Sequence, residues 1–304
     1  MKQVKMFKDA LKNNYIVPAF NFANFEILKG IIEAVKETNS PVILQASESA
    51  INYFGDECIS GLIQGIRKIK LPISFHLDHG KSMEIVKRAI KLGFDSVMID
   101  GSGLTFKENV KLTKQVVAYA HKNNVSVEGE LGVLDVADDD STLSGNEKFT
   151  DPIQAKEFVM LTGVDSLAVS IGTNHGVNKY IGEPKIRYDI LKKIEKELPN
   201  FPIVLHGASL IEQKYVDTIN NHGGHIKKSV GNENLLKNAY KTNICKINMD
   251  TDFRLAYTAA VREFMDSYST KYCPRTYGAV GIEEAKLCAI ERIKKICKSN
   301  NKAK

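Results

Sequence analysis

Short apolar runs rich in β-branched residues alternate along this chain with longer segments of helical period, and there are eight of the runs. They are Val17 to Asn21, Pro41 to Gln45, Ile73 to His76, Ser96 to Ile99, Ser126 to Glu128, Ser166 to Val169, Pro202 to Leu205 and Ile244 to Asn248. Between the first two, Phe25 to Thr38 places Leu28, Ile31, Ile32 and Val35 on one helical face, with Asn24 as its candidate cap. Met83 to Leu92, Phe106 to Asn123, Ile153 to Thr162, Ile186 to Leu198 and Glu212 to Asn221 behave similarly, and Ile282 to Cys297 reads as a closing helix. Such alternation is the signature of βα units and a parallel sheet. Eight units in roughly 250 residues match the count of a (β/α)8 barrel. A doubly wound open sheet would carry a glycine-rich phosphate turn after its first strand; here FANFE follows, without glycine. A length of 304 residues would fit two average domains, but barrels of this size fold as one. The expectation is a single (β/α)8 TIM barrel, α/β in class, over residues 1–304, with a C-terminal helix and basic tail at 282–304.

Composition narrows the class. Hydrophobic residues make up 43% and charged residues 26%, which argues against disorder, collagen and a coiled coil. No run reaches the roughly 18 apolar residues of a membrane helix, and MKQVKMFKDALKNN lacks the apolar core of a signal peptide. The five cysteines (58, 245, 273, 288 and 297) show no CxxC spacing and cannot all pair. The chain is therefore expected in a reducing cytoplasm, without a structural zinc knuckle. Net charge is +6, and residues 292–304 alone hold Arg292, Lys294, Lys295, Lys298, Lys302 and Lys304 with no acid. That stretch reads as a frayed, solvated tail rather than a nucleic-acid surface, which would interleave aromatics. The longest irregular piece, residues 134–150, reads as a mobile lid, because it follows a strand at the end of the barrel where catalysis is expected.

Catalytic groups of barrels gather at the C-terminal ends of the strands. Past the third run stand His76, Asp78, His79 and Gly80; past the fourth, Asp100; past the fifth, Glu130. Past the sixth stands His175, past the seventh His206, and at the eighth Asn248, Asp250, Thr251 and Asp252. Three separate strand ends each deliver a His-Gly pair: His79, His175 and His206. Glycine after the histidine lets another group approach closely. Three imidazoles with an open fourth position make a catalytic rather than a structural zinc site. Asp78 beside them reads either as a proton-transfer group or as an acceptor that orients a ligand, and spacing leaves both open. The loops after strands seven and eight are where barrels commonly bind phosphate. Here Gly207, Ser209, Asn248 and Thr251 offer donors, and Lys179 a positive charge.

In order along the chain, HLDHG, SVMIDGS, GELG, GTNHG, LHGAS and KINMDTDFR resemble the class II, metal-dependent fructose-1,6-bisphosphate aldolases, and PAFNF (18–22) and ILQAS (43–47) fit the same family. The similarity spans about residues 5–297. It implies Zn2+ on His79, His175 and His206, with Glu130 and Asp100 able to hold the metal in an alternative inner position. It implies Asp78 as the proton-transfer residue in reversible cleavage of fructose 1,6-bisphosphate to glycerone phosphate and glyceraldehyde 3-phosphate, through a zinc-stabilised enediolate. Gly176, Lys179, Gly207, Ser209, Asn248, Asp250 and Thr251 match the pocket for one phosphate and its monovalent cation, Na+ or K+. Asn21 and Ser47 match substrate contacts, and Arg254 and Arg275 the holders of the other phosphate. The resemblance also implies that the arginine of the PR dipeptide reaches in from a neighbouring subunit, hence a homodimer or homotetramer. Two departures stand out. The glutamate of the family's lid is matched here only by Asp138, Asp139 and Asp140, and its DPR segment reads CPR, with Cys273 for aspartate.

Three other readings compete. Tagatose-1,6-bisphosphate aldolase differs at one stereocentre, and its branch tends to a small residue at the Asp250 position. A metal-dependent barrel hydrolase would want an HxH pair on the first strand, where PAFNF has none. A non-catalytic phosphosugar-binding protein would have lost a ligand or Asp78, and none is lost.

Overall fold

The computed structural model describes residues 1–132, 149–173, 186–226 and 236–303. The described residues form eight parallel strands: β1 (Val17–Asn21), β2 (Val42–Ser47), β3 (Ile73–Gly80), β4 (Ser96–Ile99), β5 (Ser126–Leu131), β6 (Ser166–Val169), β7 (Ile203–Leu205) and β8 (Ile244–Met249). Each pairs with the next, and β8 pairs back on β1, so the sheet closes into a barrel as expected. Four strands run further than the sequence pattern suggested, β8 by Met249 alone. β2 continues to Ser47, β3 through Gly80 and β5 through Leu131, so part of the chemistry lies within strands rather than after them. The apolar pattern stops early there because polar side chains face the barrel axis, while hydrogen bonding to neighbours continues.

Strand alternation sorts the core. Ile73, Phe75 and Leu77 of β3 pack outward into one large apolar cluster under the surrounding helices. Ser74, His76 and Asp78 take the opposite, inward parity, and all three are buried. The helix Phe25–Thr38 is capped by Asn24, whose Oδ1 accepts from Ile27 N at 2.9 Å, as the sequence predicted. Residues 2–13, read from sequence only as a charged start, form an amphipathic helix, Lys2–Asn13. It buries Gln3, Met6, Phe7 and Ala10, and Met6, Phe7 and Ala10 join a second cluster with Tyr15, Val17, Ala19, Ile43 and Cys245.

The predicted frayed tail is corrected by the structure. The helix Pro274–Glu291 passes directly into a π-helical turn, Arg292–Cys297. Arg292, Ile293, Ile296, Cys297 and Ser299 are buried, while Lys294, Lys295 and Lys298 project into water. Ile16 N–H donates to Cys297 O at 2.8 Å, and the Ser40 and Ser299 hydroxyls pair at 2.8 Å. Ile293 and, one helical turn on, Ile296 and Cys297 dock this segment, and counting charge alone missed them. The candidate lid lies almost wholly outside the described residues. Among the described residues, no helix is long and apolar enough to cross a membrane.

Candidate active site

The end of β3 has unusual geometry. Its register against β4 slips between Leu77 and Gly80, and His79 takes a left-handed backbone, φ 48°. In a regular strand, Asp78 and His79 would point to opposite faces. The irregularity brings both to the same centre, with Asp78 Oδ1 4.0 Å from His79 Nε2. Gly80 is required by space: a Cβ there would lie 2.7 Å from the Met98 carbonyl oxygen. The Gly80 carbonyl also accepts the Asp100 N–H at 2.9 Å, which ties the β3 end to the start of the next loop.

His206 sits just past β7, fully buried, and Gly207 after it has φ 61°. His79 Nε2 and His206 Nδ1 stand 3.0 Å apart. Two nitrogens on one tetrahedral zinc would lie about 3.3 Å apart, from Zn–N distances near 2.05 Å. Each ring's other nitrogen meets a carboxylate: His79 Nδ1 is 3.1 Å from Asp100 Oδ2, and His206 Nε2 is 2.7 Å from Glu128 Oε1. That arrangement orients metal-binding imidazoles. His79 with Asp78 and His206, and His79 with Asp100 and Glu130, each bring three donor atoms close enough to share one cation. His175, expected as the third imidazole, lies outside the described residues, as do Gly176, Lys179 and Asp138.

Electrostatics follow from crowding. Burial works against charge on His79, but Asp78, Asp100 and Glu130 outweigh it and push its pKa up to about 10. Burial lowers His206, so its ring is neutral despite Glu128. Burial would raise Asp78, yet His79, His206, Lys246 and the Asn21 hydrogen bond hold it at about 2. Asp100 is likewise held well below the usual range, against burial, by its hydrogen bond from His79. Glu130, buried beside Asp100, is pushed well above the carboxylate range.

Asp78 is held by two amides. Asn21 Nδ2 donates to Oδ2 at 2.7 Å, and Asn248 Nδ2 to Oδ1 at 3.1 Å. Gln45 Nε2 in turn donates to Asn21 Oδ1 at 2.7 Å. Beyond lies a cleft of about 160 Å³ lined by Asn21, Ser47, Tyr53, Asp250 and Arg254. Arg254 and Asp250 pair across its wall at 2.8 Å. Ser47 serves locally as a cap, its Oγ accepting from Ala50 N at 3.3 Å. Ser209 Oγ accepts the Asp250 N–H at 3.2 Å, and Thr251 opens the helix Thr251–Ser267. Arg275 stands exposed at the start of the helix Pro274–Glu291 and does not line this cleft.

Sequence reasoning gave no role to the layer beneath. Glu128, Lys246 and His76 are fully or almost fully buried in the barrel. Lys246 Nζ lies 2.7 Å from Glu128 Oε2 and 3.3 Å from His76 Nε2, and His76 Nδ1 is 2.6 Å from Ser96 Oγ. The signal was available as parity: a glutamate and a lysine inside otherwise apolar runs must face inward together. Tyr53, exposed at the cleft rim, carried no such signal.

The chain is similar to known proteins along nearly its whole length. The family description "Fructose-bisphosphate aldolase class-II" fits residues 1–302. A fructose-bisphosphate aldolase of Treponema pallidum is 42% identical over 319 residues, covering 98% of this chain and 96% of that protein. One from Giardia intestinalis is 42% identical over 294 residues, covering 95% and 90%. Among solved structures, the YdjI aldolase of Escherichia coli K12 superposes with TM-score 0.80 at 31% identity, covering 99% and 98% of the two chains. A fructose-bisphosphate aldolase of Campylobacter jejuni, at 22% identity and TM-score 0.74, covers 98% and 94% and shares the fold. With eight closed strands, paired imidazoles at their ends and a family match along nearly its whole length, this chain belongs to the class II fructose-bisphosphate aldolase family, and is an aldehyde-lyase.

Proposed function

We propose that the protein cleaves D-fructose 1,6-bisphosphate reversibly to glycerone phosphate and D-glyceraldehyde 3-phosphate, as a cytoplasmic step of glycolysis and gluconeogenesis. The observation that carries this reading is the 3.0 Å approach of His79 Nε2 to His206 Nδ1 with the Asp78 carboxylate beside them. The substrate follows from the family and from the names of the relatives. The five free cysteines fit a reducing compartment.

The donor set fits zinc, because both imidazoles have their far nitrogens on carboxylates. We assign the third position to His175, and an alternative inner position to His79, Asp100 and Glu130. When bound, the ion would act as a Lewis acid on the ketose carbonyl. Asp78 is ionised, and two amides fix its orientation, so it accepts the proton of the C4 hydroxyl during cleavage and returns it to the aldehyde oxygen during condensation. Asn21 and Ser47 orient the sugar from the cleft wall. The loops holding Gly207, Ser209, Asn248, Asp250 and Thr251 take one phosphate, with Gly176, Lys179 and a monovalent cation, Na+ or K+. Arg254 takes the other phosphate, joined by Arg275 of a neighbouring subunit, which makes the enzyme a homodimer or homotetramer. A lid acid, Asp138 or a neighbour, handles the C3 proton.

Coupled release of triose phosphate from fructose and tagatose bisphosphates tests the substrate. Fructose bisphosphate is expected to be preferred, because Asp250 and its Arg254 partner line the cleft. Chelation should abolish turnover and zinc should restore it; activity that survives without metal refutes the reading. Asp78→Ala should keep near-normal zinc with very little turnover. Loss of zinc in that variant would make Asp78 a structural residue.

A further inference from the structure

Arg292 lies in the basic stretch expected to be solvated, yet its side chain is wholly buried. Nε donates to Asp252 Oδ1 at 2.9 Å, and Nη2 donates to Glu212 Oε1 at 2.6 Å and to Leu210 O at 3.1 Å. These three acceptors belong to two segments only, the one that leaves β7 and the one that leaves β8. The segments also touch each other directly. Leu210 N–H donates to the same Asp252 Oδ1 at 3.0 Å, and Asp250 N–H donates to Ser209 Oγ at 3.2 Å. Both hydrogen bonds join the segments, and the guanidinium fastens the one through Asp252.

Resting on the reading that these segments take a substrate phosphate, we propose that Arg292 is a positioning residue for that phosphate. It sets the spacing between the donors of the β7 loop and those of the β8 loop, without touching substrate. Two carboxylates and a carbonyl do not converge on one point unaided, because their like charges repel. A planar guanidinium satisfies all three in a fixed geometry, which a lysine ammonium does not reproduce. Asp252 is thus held while it holds Leu210, one residue beyond Ser209. The anchor is rigid on its own side as well. Ile293, Ile296 and Cys297 bury the π-helical turn that begins at Arg292. Such turns are frequent at functional sites. Phosphate sites between two loops depend on sub-ångström spacing of their donors.

The test uses the zinc-loaded enzyme with Arg292→Lys and, separately, Glu212→Gln, which takes the charge from one link and leaves the buried pair with Asp252. Four quantities are read: zinc content, kcat, KM for fructose 1,6-bisphosphate, and the inhibition constant of inorganic phosphate. Arg292→Lys should raise KM and the phosphate inhibition constant together by about fivefold to tenfold, with full zinc and kcat within about twofold. Glu212→Gln should move both constants in the same direction, by less. A staple that only stabilises the fold would lower the melting temperature and the active fraction but leave KM and phosphate inhibition at parental values, and that result overturns the proposal. If Arg292→Lys does not fold, Glu212→Gln decides alone, with unchanged constants counting against it. A parent that neither cleaves the sugar bisphosphate nor responds to phosphate fails the functional reading, and the proposal falls with it. A parent that does both, with variants like it, fails only the proposal.

Discussion

His206 Nε2 and Glu128 Oε1 meet at 2.7 Å inside the barrel, on the side of the ring opposite the nitrogen that faces His79. The neutral ring therefore carries its proton on Nε2 and leaves a lone pair on Nδ1, the atom that faces His79. Lys246 keeps Glu128 charged, so the acceptor is available throughout neutral pH.

Taking the charge from that acceptor should weaken the metal site without touching a ligand. Glu128→Gln is expected to lower zinc affinity by about 10-fold to 100-fold, as orienting partners of metal-bound histidines do elsewhere. Competition with a chromophoric chelator measures it. Parental affinity in a folded Glu128→Gln protein would show that the charge of this acceptor does nothing for the metal site.

Gly80→Ala tests the strand end. The added Cβ would meet backbone, the Met98 carbonyl oxygen at 2.7 Å, and Leu77 Cδ2 at 2.8 Å, so a flexible side chain cannot simply give way. The β3–β4 irregularity that turns His79 inward should open. Zinc affinity is expected to fall by at least about tenfold, from displacement of one ligand. A crystal structure of the variant with His79 unmoved, and zinc bound as before, would refute this.

Much of this architecture was legible because strand and helix periods survive in the sequence. All eight runs found their strands, since their outward faces are continuously apolar against helices. The histidines at 79 and 206 were legible because each sits beside a glycine that the backbone needs, at Gly80 for space and at Gly207 for its left-handed φ. Strand parity could place Glu128 and Lys246 inside, but their pairing was not legible, because it joins strands 118 residues apart. Arg292 was misread for the same reason: its partners, Asp252 and Glu212, lie 40 and 80 residues away. Ser209 and Asp250 stood at matched positions in the sequence, but their direct hydrogen bond is a tertiary fact.

The proton on His79 sets a pH dependence for metal binding. In the metal-free protein burial disfavours the imidazolium, but Asp78, Asp100 and Glu130 prevail and its pKa stands at about 10. His206 is already neutral and Asp78 already ionised, so one proton must leave when Nε2 takes a metal. Zinc affinity should therefore rise with pH up to about 10, by about tenfold per unit. Stability of the metal-free chain has the opposite sign. A raised folded-state pKa contributes stability that is fully present below the ordinary histidine value, near 6.5, and is lost as pH rises through about 10. Calorimetry in buffers of different ionisation enthalpy should count about one proton released per zinc near pH 8. Zero protons released would place the His79 proton elsewhere.

The Glu128–Lys246 pair separates stability from metal binding. Both side chains are fully buried, 2.7 Å apart, with His76 neutral beside them because burial and the Lys246 charge hold its pKa at about 3. Breaking such a pair from one side strands a charge in the interior and costs about 3–5 kcal/mol. Lys246→Met should therefore lower the unfolding free energy of the metal-free protein by roughly that amount. Adding Glu128→Leu removes the stranded carboxylate and should recover most of the loss, since apolar replacements of a whole buried pair are often neutral. Zinc affinity should not recover, because the double variant lacks the Glu128 carboxylate that accepts from His206 Nε2. Chemical denaturation of the chelated protein and chelator competition on the same four samples form a double-mutant cycle. Recovery of zinc binding alongside stability in the double variant would mean that Glu128 matters to the metal only through the fold.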